Sequence, residues 1–474
     1  MKWKNSSKRS SGRELLPRPE RAHLLGPRFS SLGPLVPSHI SLFFFLFFLF
    51  SHVGFLGAWL LRDLLRVPEL ASFQVVCLVR APTKEAGLKR LLDNFRLYDL
   101  ALTEEELRRV EIQVGDVAKD LFGLLETEFD SLSSSLVAIV NNAAMVNSVL
   151  SYEQLKAPNV LGTQQALKLA FIPSSSSSFP ISFFHVSTIG LLSGSGIREE
   201  LVHDTAKGFT TLSGYAQTKY IAENLVVKAL EAGLNGAVFR PGTISGDSAS
   251  GACNLTDAFV RTLRGLIKDQ RCCLGEGTPL LQSFPLIPVD AVSSSIVNVA
   301  ASYMSSANSV VNKNDRGTRI FHLVGTAPFP LSLLVEGIEA SGVSMENLSA
   351  SDYKSFMATI KEDHPMYAFK NVLAGQGFLS VDDSTLPRDE STQAFIKAHL
   401  GVRAFPFRLV EFRLIVRGLG KGRVGQIRFA SKRPQGACRL RQQNDGFLPQ
   451  TLMTSSPLRL VYMLPCRMVS KDLY

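Results

Sequence analysis

Short apolar runs alternate with amphipathic stretches along the chain between residue 54 and residue 245. The apolar runs have the length and the β-branched or aromatic content of buried strands. They lie at 72–79, 110–114, 136–140, 181–186 and 236–239. Between them, apolar residues recur at helical spacing, at 57–66, 84–100, 103–109, 159–169 and 215–232. Strands that alternate with helices predict an α/β fold with a doubly wound parallel sheet of the Rossmann type.

Beyond residue 245 this alternation weakens, and the pattern predicts mainly helices. They cover 257–267, 291–303, 330–340 and 351–360, with one strand at 321–325. This part of the chain is predicted to form a smaller, substrate-facing lobe. The predicted domain limits are a disordered basic segment at 1–40, a Rossmann domain at 41–245, the lobe at 246–405 and a basic irregular tail at 406–474.

The run SLFFFLFFLFS at 41–51 is unusually apolar and admits three interpretations. Together with the GFLGAWLL that follows, it is long enough for a membrane anchor, and the basic segment before it suits one. It could also be translated non-coding sequence, because Phe, Leu and Ser have codons made only of pyrimidines. The third interpretation is the first β-strand of the sheet, which a Rossmann fold requires before residue 54. The pattern alone leaves all three open.

The formal net charge of +10 is concentrated at the two ends of the chain. Residues 1–50 carry a net +6 and residues 411–474 a net +9, so the remaining 51–410 carry −5. A mildly acidic core lacks the basic surface that nucleic-acid binding needs, so we expect no nucleic-acid partner. The six cysteines include no C-x-x-C pair, so no metal site is predicted.

The motif Gly54-Phe55-Leu56-Gly57 directly precedes a predicted helix, as the end of a dinucleotide-binding glycine fingerprint does. Glycines at such a turn let backbone N–H groups approach a pyrophosphate at the helix N-terminus. A full fingerprint would have its first glycine three residues earlier, where this chain has Ser51. Taken alone, the motif is equally a pair of loop glycines, so its interpretation depends on the motifs that follow.

Arg80, which follows the strand at 72–79, indicates the cofactor preference. At this position an acidic residue would bind the ribose 2′-hydroxyl of NAD, whereas an Arg suits the 2′-phosphate of NADP. Arg90, in the next helix, could add a second positive charge. We therefore expect NADPH, with an ordinary solvated Arg as the alternative explanation.

Further residues at the carboxyl ends of predicted strands suit the same cofactor, because parallel sheets bind ligands at that edge. Asp116 is placed to accept a hydrogen bond from the adenine amino group. Small residues after the next strand let the backbone approach the dinucleotide. The remaining predicted cofactor contacts are Val117, Asn142, Ala143, Ala144, Asn159, Pro241 and Gly242.

Ser187 and Thr188 at the end of a strand, with Tyr215 and Lys219 at the start of a helix, form the predicted catalytic set. The i, i+4 spacing places Tyr215 and Lys219 on one helix face. A neighbouring ammonium lowers the pKa of a tyrosine, so Tyr215 could protonate a carbonyl oxygen, while Lys219 also holds the nicotinamide ribose. The Thr188 hydroxyl would hydrogen-bond the developing oxyanion.

A second Y-x-x-x-K motif runs from Tyr152 to Lys156. No strand ending in Ser or Thr precedes it, so we interpret it as the surface of an amphipathic helix.

In their order along the chain, these motifs resemble the thioester reductase domains of nonribosomal peptide synthetases, carboxylic acid reductases and aminoadipate reductases, which are extended short-chain dehydrogenases. The resemblance covers about residues 54–400. Its stretches are GFLGAWLLRDLL, VVCLVRA, GDV, NNAAMVN, NVLGT, HVSTIG, GYAQTKYIAE, FRPGTISGDS, NLTDAFVRTLRG, IPVDAV and FHLVG. One departure is Asn141, which stands where such domains usually have His or Tyr.

The resemblance implies that Thr188, Tyr215 and Lys219 are catalytic, that Tyr215 and Lys219 also contact bound NADPH, and that Arg80 reads the cofactor. It implies an acyl thioester as substrate, carried by a phosphopantetheinyl carrier protein or by CoA and reduced to an aldehyde or onward to an alcohol. The acyl donor would come from elsewhere or from a longer chain of which this is a part. We expect a monomer in the cytoplasm, with a membrane anchor at 41–51 as the alternative.

Three other functions are compatible with part of the pattern. A fatty acyl-CoA reductase would share the catalytic set and would be favoured by a true membrane anchor. A sugar-nucleotide epimerase or dehydratase fits less well, because the strand end reads STIGLL without the V-Y-G typical of such enzymes. A catalytically degenerate NADP-binding protein is motivated by Ser51, but the retained Thr188, Tyr215 and Lys219 argue against it.

Overall fold

The computed structural model describes residues 46–50, 54–147, 149–172, 181–191, 213–275, 283–306, 320–325 and 328–370. In chain order the strands are β1 Leu46–Phe50, β2 Gln74–Val79, β3 Val110–Val114, β4 Leu136–Asn141, β5 Ser182–Val186, β6 Asn235–Pro241, β7 Thr243–Ser245, β8 Arg271–Cys272, β9 Ser283–Phe284, β10 Leu286–Pro288, β11 Ile320–Leu323, β12 Phe329–Pro330 and β13 Glu346–Asn347. Seven of these described strands form one parallel sheet, and the other six pair two by two.

The large sheet has the spatial order β11-β6-β5-β4-β1-β2-β3. Strand β1 lies in its middle, with Phe48 paired to Val76 of β2 on one side and to Ile139 of β4 on the other. The chain therefore proceeds outward in one direction from β1 to β3 and in the other from β4 onward. Ligands of such sheets bind at the carboxyl ends of the strands where the order reverses, here between β1 and β4.

Eleven helices in the described part of the chain surround the sheets. They are α1 Phe55–Arg66, α2 Lys84–Leu97, α3 Glu104–Arg108, α4 Glu126–Ser135, α5 Tyr152–Lys156, α6 Gly162–Phe171, α7 Gly214–Glu231, α8 Ala258–Asp269, α9 Val289–Ser306, α10 Leu331–Glu339 and α11 Ala350–Thr359. A π-helical turn at Ala157–Leu161 joins α5 to α6.

Alternate residues of the strands point to opposite faces of the sheet, and each face has its own apolar core. Val75 and Cys77 of β2 pack with α1, α2 and α9, whereas Val76 and Leu78 pack with α4, α6 and α7. Both faces are thus covered by helices, which is why the strands read as nearly continuous apolar runs.

A third apolar core is made of residues from position 259 onward, contributed chiefly by α8, α10 and α11. Tyr353 and Met357 of α11 are fully buried there, and Met366 packs so closely on α8 that a Cβ on Gly265 would lie 2.6 Å from its Cε. This core lies in the part of the chain for which the sequence predicts a smaller lobe. The predicted limits at residues 245 and 405 stay predictions.

Most predicted elements are present with ends shifted by a few residues, and the strand at 110–114 matches residue for residue. The apolar run at 41–51 contains a strand, β1, in the place that the third interpretation required. No helix among the described residues is long and apolar enough to cross a membrane. Helix α4 was not predicted. The segments at 1–40 and 406–474 lie outside the described residues.

Candidate active site

Tyr215 and Lys219 lie one turn apart at the beginning of α7. Ser213 caps this helix, because its hydroxyl accepts a hydrogen bond from the Ala216 N–H at 3.2 Å. Gly214 lets the helix start against the loop before α5, since a Cβ on it would lie 2.4 Å from the carbonyl oxygen of Leu150. The position of the turn that carries Tyr215 and Lys219 is therefore fixed by a backbone-to-backbone contact.

The amine of Lys219 reaches the carboxyl end of β5, where it donates a hydrogen bond to the Val186 carbonyl at 2.7 Å. Ser187 and Thr188 follow directly, so the structure brings Lys219, Ser187 and Thr188 to the carboxyl end of β5, with Tyr215 one turn before Lys219 on α7. The buried hydroxyl of Ser187 has no hydrogen-bond partner among the described residues. The hydroxyl of Thr188 accepts from the Gly190 N–H at 3.1 Å and is half-buried.

Burial changes the proton affinities of both residues on α7. Desolvation lowers the pKa of Lys219 to about 8, although nearby Glu223 opposes this change. Desolvation also raises the pKa of Tyr215 well above its ordinary value, and the carboxylate of Asp257 raises it further. The sequence analysis predicted instead that the pKa of Tyr215 is lowered. The difference arises because the half-buried phenol is partly removed from water and lies near the carboxylate of Asp257, and both effects disfavour the phenolate.

The glycine turn stands at the start of α1, which follows the central strand β1. Gly54 has no side chain to cap the helix, and its carbonyl accepts a hydrogen bond from the Asn94 amide at 3.3 Å. Phe55 is half-buried and packs at 5.0 Å from the rings of both Trp59 and Tyr98. Leu56 and Gly57 are buried. An uncapped helix N-terminus at the sheet's reversal point fits a pyrophosphate.

Two arginines meet at the carboxyl end of β2. The Arg80 side chain is 56% exposed and its Nη1 lies 4.0 Å from Oδ2 of Asp116. Nη1 of Arg90 donates a hydrogen bond to the backbone carbonyl of Arg80 at 2.6 Å, so the Arg90 guanidinium also lies at the carboxyl end of β2. Asp116 also accepts a hydrogen bond from the Ala118 N–H at 3.0 Å. The exposed guanidiniums suit a phosphate group rather than a hydroxyl.

The other predicted cofactor contacts line the same edge of the sheet. Val117 is buried and Gly162 packs against it, since a Cβ on Gly162 would lie 2.8 Å from the Val117 carbonyl oxygen. Asn159 is buried and its amide holds both the N–H and the carbonyl of Met145, at 2.7 and 3.2 Å. Ala143 and Pro241 are buried, whereas Asn142, Ala144 and Gly242 are half-buried. The role of Asn159 here is to fix the loop after β4.

Sequence reasoning missed several polar residues around the site. Asp257, at the start of α8, lies close enough to raise the pKa of Tyr215. Glu223 forms a fully buried ion pair with Arg240, whose Nε lies 3.1 Å from Oε1. The stretch FRPGTISGDS, which contains Arg240, was noted in the sequence, but Glu223 lies on α7 and only the fold reveals that the two residues pair. A helix-capping Asp before an amphipathic run was the available signal for Asp257.

The residues present fit a dinucleotide: the start of α1 is uncapped, Arg80 and Arg90 are exposed after β2, and the buried Ser187 hydroxyl after β5 has no hydrogen-bond partner in the described part of the chain. The Tyr152-to-Lys156 motif lies on α5, where the ammonium of Lys156 stands 5.8 Å over the Tyr152 ring. Among the residues that the structure describes, no group of His, Cys, Asp and Glu could hold a metal ion.

Comparison with known proteins finds relatives among peptide synthetases and reductases. The profile of a family described as male sterility protein matches residues 52–296. The chain is 33% identical over 316 residues to a linear gramicidin synthase of Brevibacillus parabrevis, which is 65% of this chain and 6% of that protein. It is 34% identical over 256 residues to L-2-aminoadipate reductase of Schizosaccharomyces pombe, which is 52% of this chain and 17% of that protein. The chain thus spans under a fifth of either relative.

The fold resembles a solved domain of matching size. The terminal R domain from the myxalamid PKS-NRPS biosynthetic pathway superposes with a TM-score of 0.66 and 28% sequence identity. The match covers 79% of this chain and 90% of that domain. The α/β Rossmann fold predicted from the sequence is therefore confirmed, together with the resemblance to this group of reductase domains.

Proposed function

The chain belongs to the NAD-binding family described as male sterility protein, and from this premise we propose that it is an NADPH-dependent reductase that converts an acyl thioester into an aldehyde. One observation carries the proposal. Lys219, one turn after Tyr215, is anchored by the Val186 carbonyl beside Ser187 and Thr188. This arrangement supplies a proton donor, a cation and hydroxyl donors at one strand end, which reduction of a carbonyl group requires.

The cofactor would be held by residues on three elements. The backbone at the start of α1, from Gly54 to Gly57, would bind the pyrophosphate. Arg80 and Arg90 would bind the 2′-phosphate, and this pair favours NADPH over NADH. Lys219 would hold the nicotinamide ribose. Bound NADPH supplies a hydride to the carbonyl carbon of the substrate.

The catalytic residues manage the charge that develops on the substrate oxygen. Tyr215 donates its proton to that oxygen, and the ammonium of Lys219 stabilises the phenolate that remains. Thr188 donates a hydrogen bond to the same oxygen, with Ser187 beside it. The product of this step is a thiohemiacetal. Its hydroxyl proton passes to sulfur as the carbon–sulfur bond breaks, so an aldehyde and a thiol leave.

The substrate is proposed to be an acyl group on a phosphopantetheinyl carrier protein. This choice follows from the resemblance to the reductase domains of peptide synthetases and aminoadipate reductases. A linear gramicidin synthase and an L-2-aminoadipate reductase are both similar to this chain, which supports it. An acyl-CoA thioester is the alternative donor. The monomeric state and the cytoplasmic location stay predictions of the sequence.

The test is aldehyde release from an acyl group loaded on a carrier protein, compared with the same acyl group on CoA. We expect NADPH-dependent aldehyde formation that is faster with the carrier. Tyr215→Phe should reduce kcat by about 100-fold or more, because it removes the general acid. Tyr152→Phe is the matched control in the second Y-x-x-x-K motif and should leave the rate unchanged. Undiminished reduction by Tyr215→Phe would refute the mechanism, and faster turnover of the CoA thioester would assign the chain to acyl-CoA reduction.

A further inference from the structure

A chain of buried polar side chains lies behind the catalytic lysine. His185 of β5 is fully buried, with 0% of its surface exposed. Its Nε2 lies 3.5 Å from Nζ of Lys219, and its Nδ1 lies 3.1 Å from the amide Nδ2 of Asn141 on β4. The proposed mechanism gives neither His185 nor Asn141 a role.

Hydrogen bonds on the far side of Asn141 determine which nitrogen of His185 carries the proton. The hydroxyl of Thr163 donates to the Asn159 carbonyl at 2.8 Å, so it can only accept from the Asn141 amide at 3.2 Å. Asn141 therefore presents its N–H groups to both neighbours, and Nδ1 of His185 accepts the second one. The single proton of a neutral imidazole is then on Nε2, where it faces Lys219.

This tautomer matters because two hydrogen-bond donors oppose each other when Lys219 is charged. An ammonium offers donors only, and an Nε2–H cannot accept from it, whereas the neutral amine can accept from Nε2–H. The Val186 carbonyl accepts from Nζ in either state. The imidazole that Asn141 holds in this tautomer therefore favours the neutral amine of Lys219 over its ammonium form.

On the premise of the proposed function, we infer that His185 is a positioning residue for Lys219: held in its Nε2–H form by Asn141, it controls the charge state of the catalytic lysine. The directions of the proton affinities agree with this assignment. Burial and the charge of Lys219 lower the pKa of His185 well below its ordinary value, so it stays neutral. The pKa of Lys219 is lowered to about 8.

Other charged and titratable groups lie on the elements around Lys219, and the variants that test the inference leave these groups unchanged. Glu223 on the same helix raises the pKa of Lys219, but its carboxylate is paired with Arg240 of β6. Tyr215 lies one turn before Lys219, and Asp257 of α8 acts on that tyrosine. None of the variants below changes these residues.

The tautomer can be measured without turnover. The full chain, labelled with ¹⁵N-histidine, gives separate Nδ1 and Nε2 signals for each imidazole, and His185→Phe or His185→Gln identifies the pair that belongs to His185. We expect Nε2 to be protonated, with no titration near the ordinary histidine pKa of about 6.5. An Nδ1–H tautomer, or an imidazole that titrates near that value, would overturn the inference.

The consequence for catalysis is measured with Asn141→Asp. A carboxylate accepts hydrogen bonds only, so it should move the imidazole proton to Nδ1 and turn the Nε2 lone pair toward Lys219. In this variant, kcat should begin to fall at a pH about one unit higher than in the wild type. At a given pH on the alkaline side, its rate relative to its own maximum should therefore be roughly tenfold higher. The double variant Asn141→Asp/His185→Phe keeps the new charge but lacks the imidazole, and its shift should be less than half as large.

An equal shift in the single and double variants would overturn the inference, because the carboxylate would then act on Lys219 without His185. Thermal unfolding and NADPH binding show whether each variant is folded. If Asn141→Asp does not fold, the tautomer of the wild-type chain alone decides the question. A wild-type chain with no reductase activity would refute the proposed function while leaving the tautomer result valid, so the two failures are distinguishable.

Discussion

At the scale of single residues, burial dominates the chemistry of the α7 turn. Desolvation is the largest cause of the pKa changes of both Tyr215 and Lys219, and it opposes charge on each of them. The sequence identified both residues from their i, i+4 spacing. It could not predict that the pKa of Tyr215 is raised, because Asp257 caps a helix that begins some forty residues later along the chain.

The lowered pKa of Lys219 predicts how the rate depends on pH. The ammonium form stabilises the phenolate left by Tyr215, and Lys219 loses its proton as the pH rises through about 8. We therefore expect kcat to be steady below that pH and to fall toward about tenfold per pH unit well above it. The measurement is kcat against pH at saturating NADPH and thioester. A rate that stays level to the ordinary lysine pKa would contradict this assignment.

The arginine pair at the end of β2 predicts the cofactor preference. Arg80→Ala removes charge-assisted hydrogen bonds to the 2′-phosphate, worth about 1.5–3 kcal/mol, so the Kd for NADPH should rise about 10- to 100-fold. The Kd for NADH should not change. Arg96→Ala is a control on α2, where Arg96 pairs with Asp93. Calorimetry with both nucleotides checks this, and equal weakening of NADH binding would show that Arg80 does not read the phosphate.

At the scale of elements, periodicity predicted most helices and strands of the Rossmann domain. Helix α4 escaped prediction because its sequence, ETEFDSLSSS, buries only Phe129 and Ser133 and so lacks an apolar stripe. The apolar run at 41–51 was ambiguous because a sequence without polar alternation suits a strand buried on both faces as well as a membrane-spanning segment. Only its pairing with β2 and β4 identifies β1 as a strand.

The close approach at the start of α7 predicts the effect of one added methyl group. A Cβ at Gly214 would lie 2.4 to 2.6 Å from backbone atoms of Leu150, Ser151 and Tyr152. Gly214→Ala should therefore cost roughly 2 kcal/mol in the free energy of unfolding. It should also lower kcat by up to about 100-fold, because Tyr215 must move with the helix.

The matched control for that substitution is Gly190→Ala, whose added Cβ meets nothing closer than Oγ1 of Thr188 at 3.5 Å. It should have the same free energy of unfolding as the wild type. Chemical denaturation and kcat are measured for both variants. A fully stable and active Gly214→Ala would mean that the helix start is not held by this contact.

At the scale of the whole molecule, the alternation of strands and helices was sufficient to predict a doubly wound sheet, and the edge at which it binds the cofactor stays a prediction. Contacts between elements far apart in sequence were not predictable. Asn141, His185 and Lys219 lie on two strands and a helix, and their hydrogen bonds exist only because β4, β5 and α7 are neighbours. Side chains that act through other side chains leave no spacing signal in a single sequence.

The central claim is that a hydride passes from NADPH to the carbonyl carbon of an acyl thioester in this site. The most direct test supplies NADPH carrying deuterium at C4 of the nicotinamide, with either stereochemistry, together with a carrier-loaded acyl thioester. We predict that one of the two labelled cofactors transfers its deuterium to C1 of the aldehyde, as detected by mass spectrometry of the trapped product. Aldehyde without deuterium from either cofactor, or no aldehyde from the intact chain, would contradict the account.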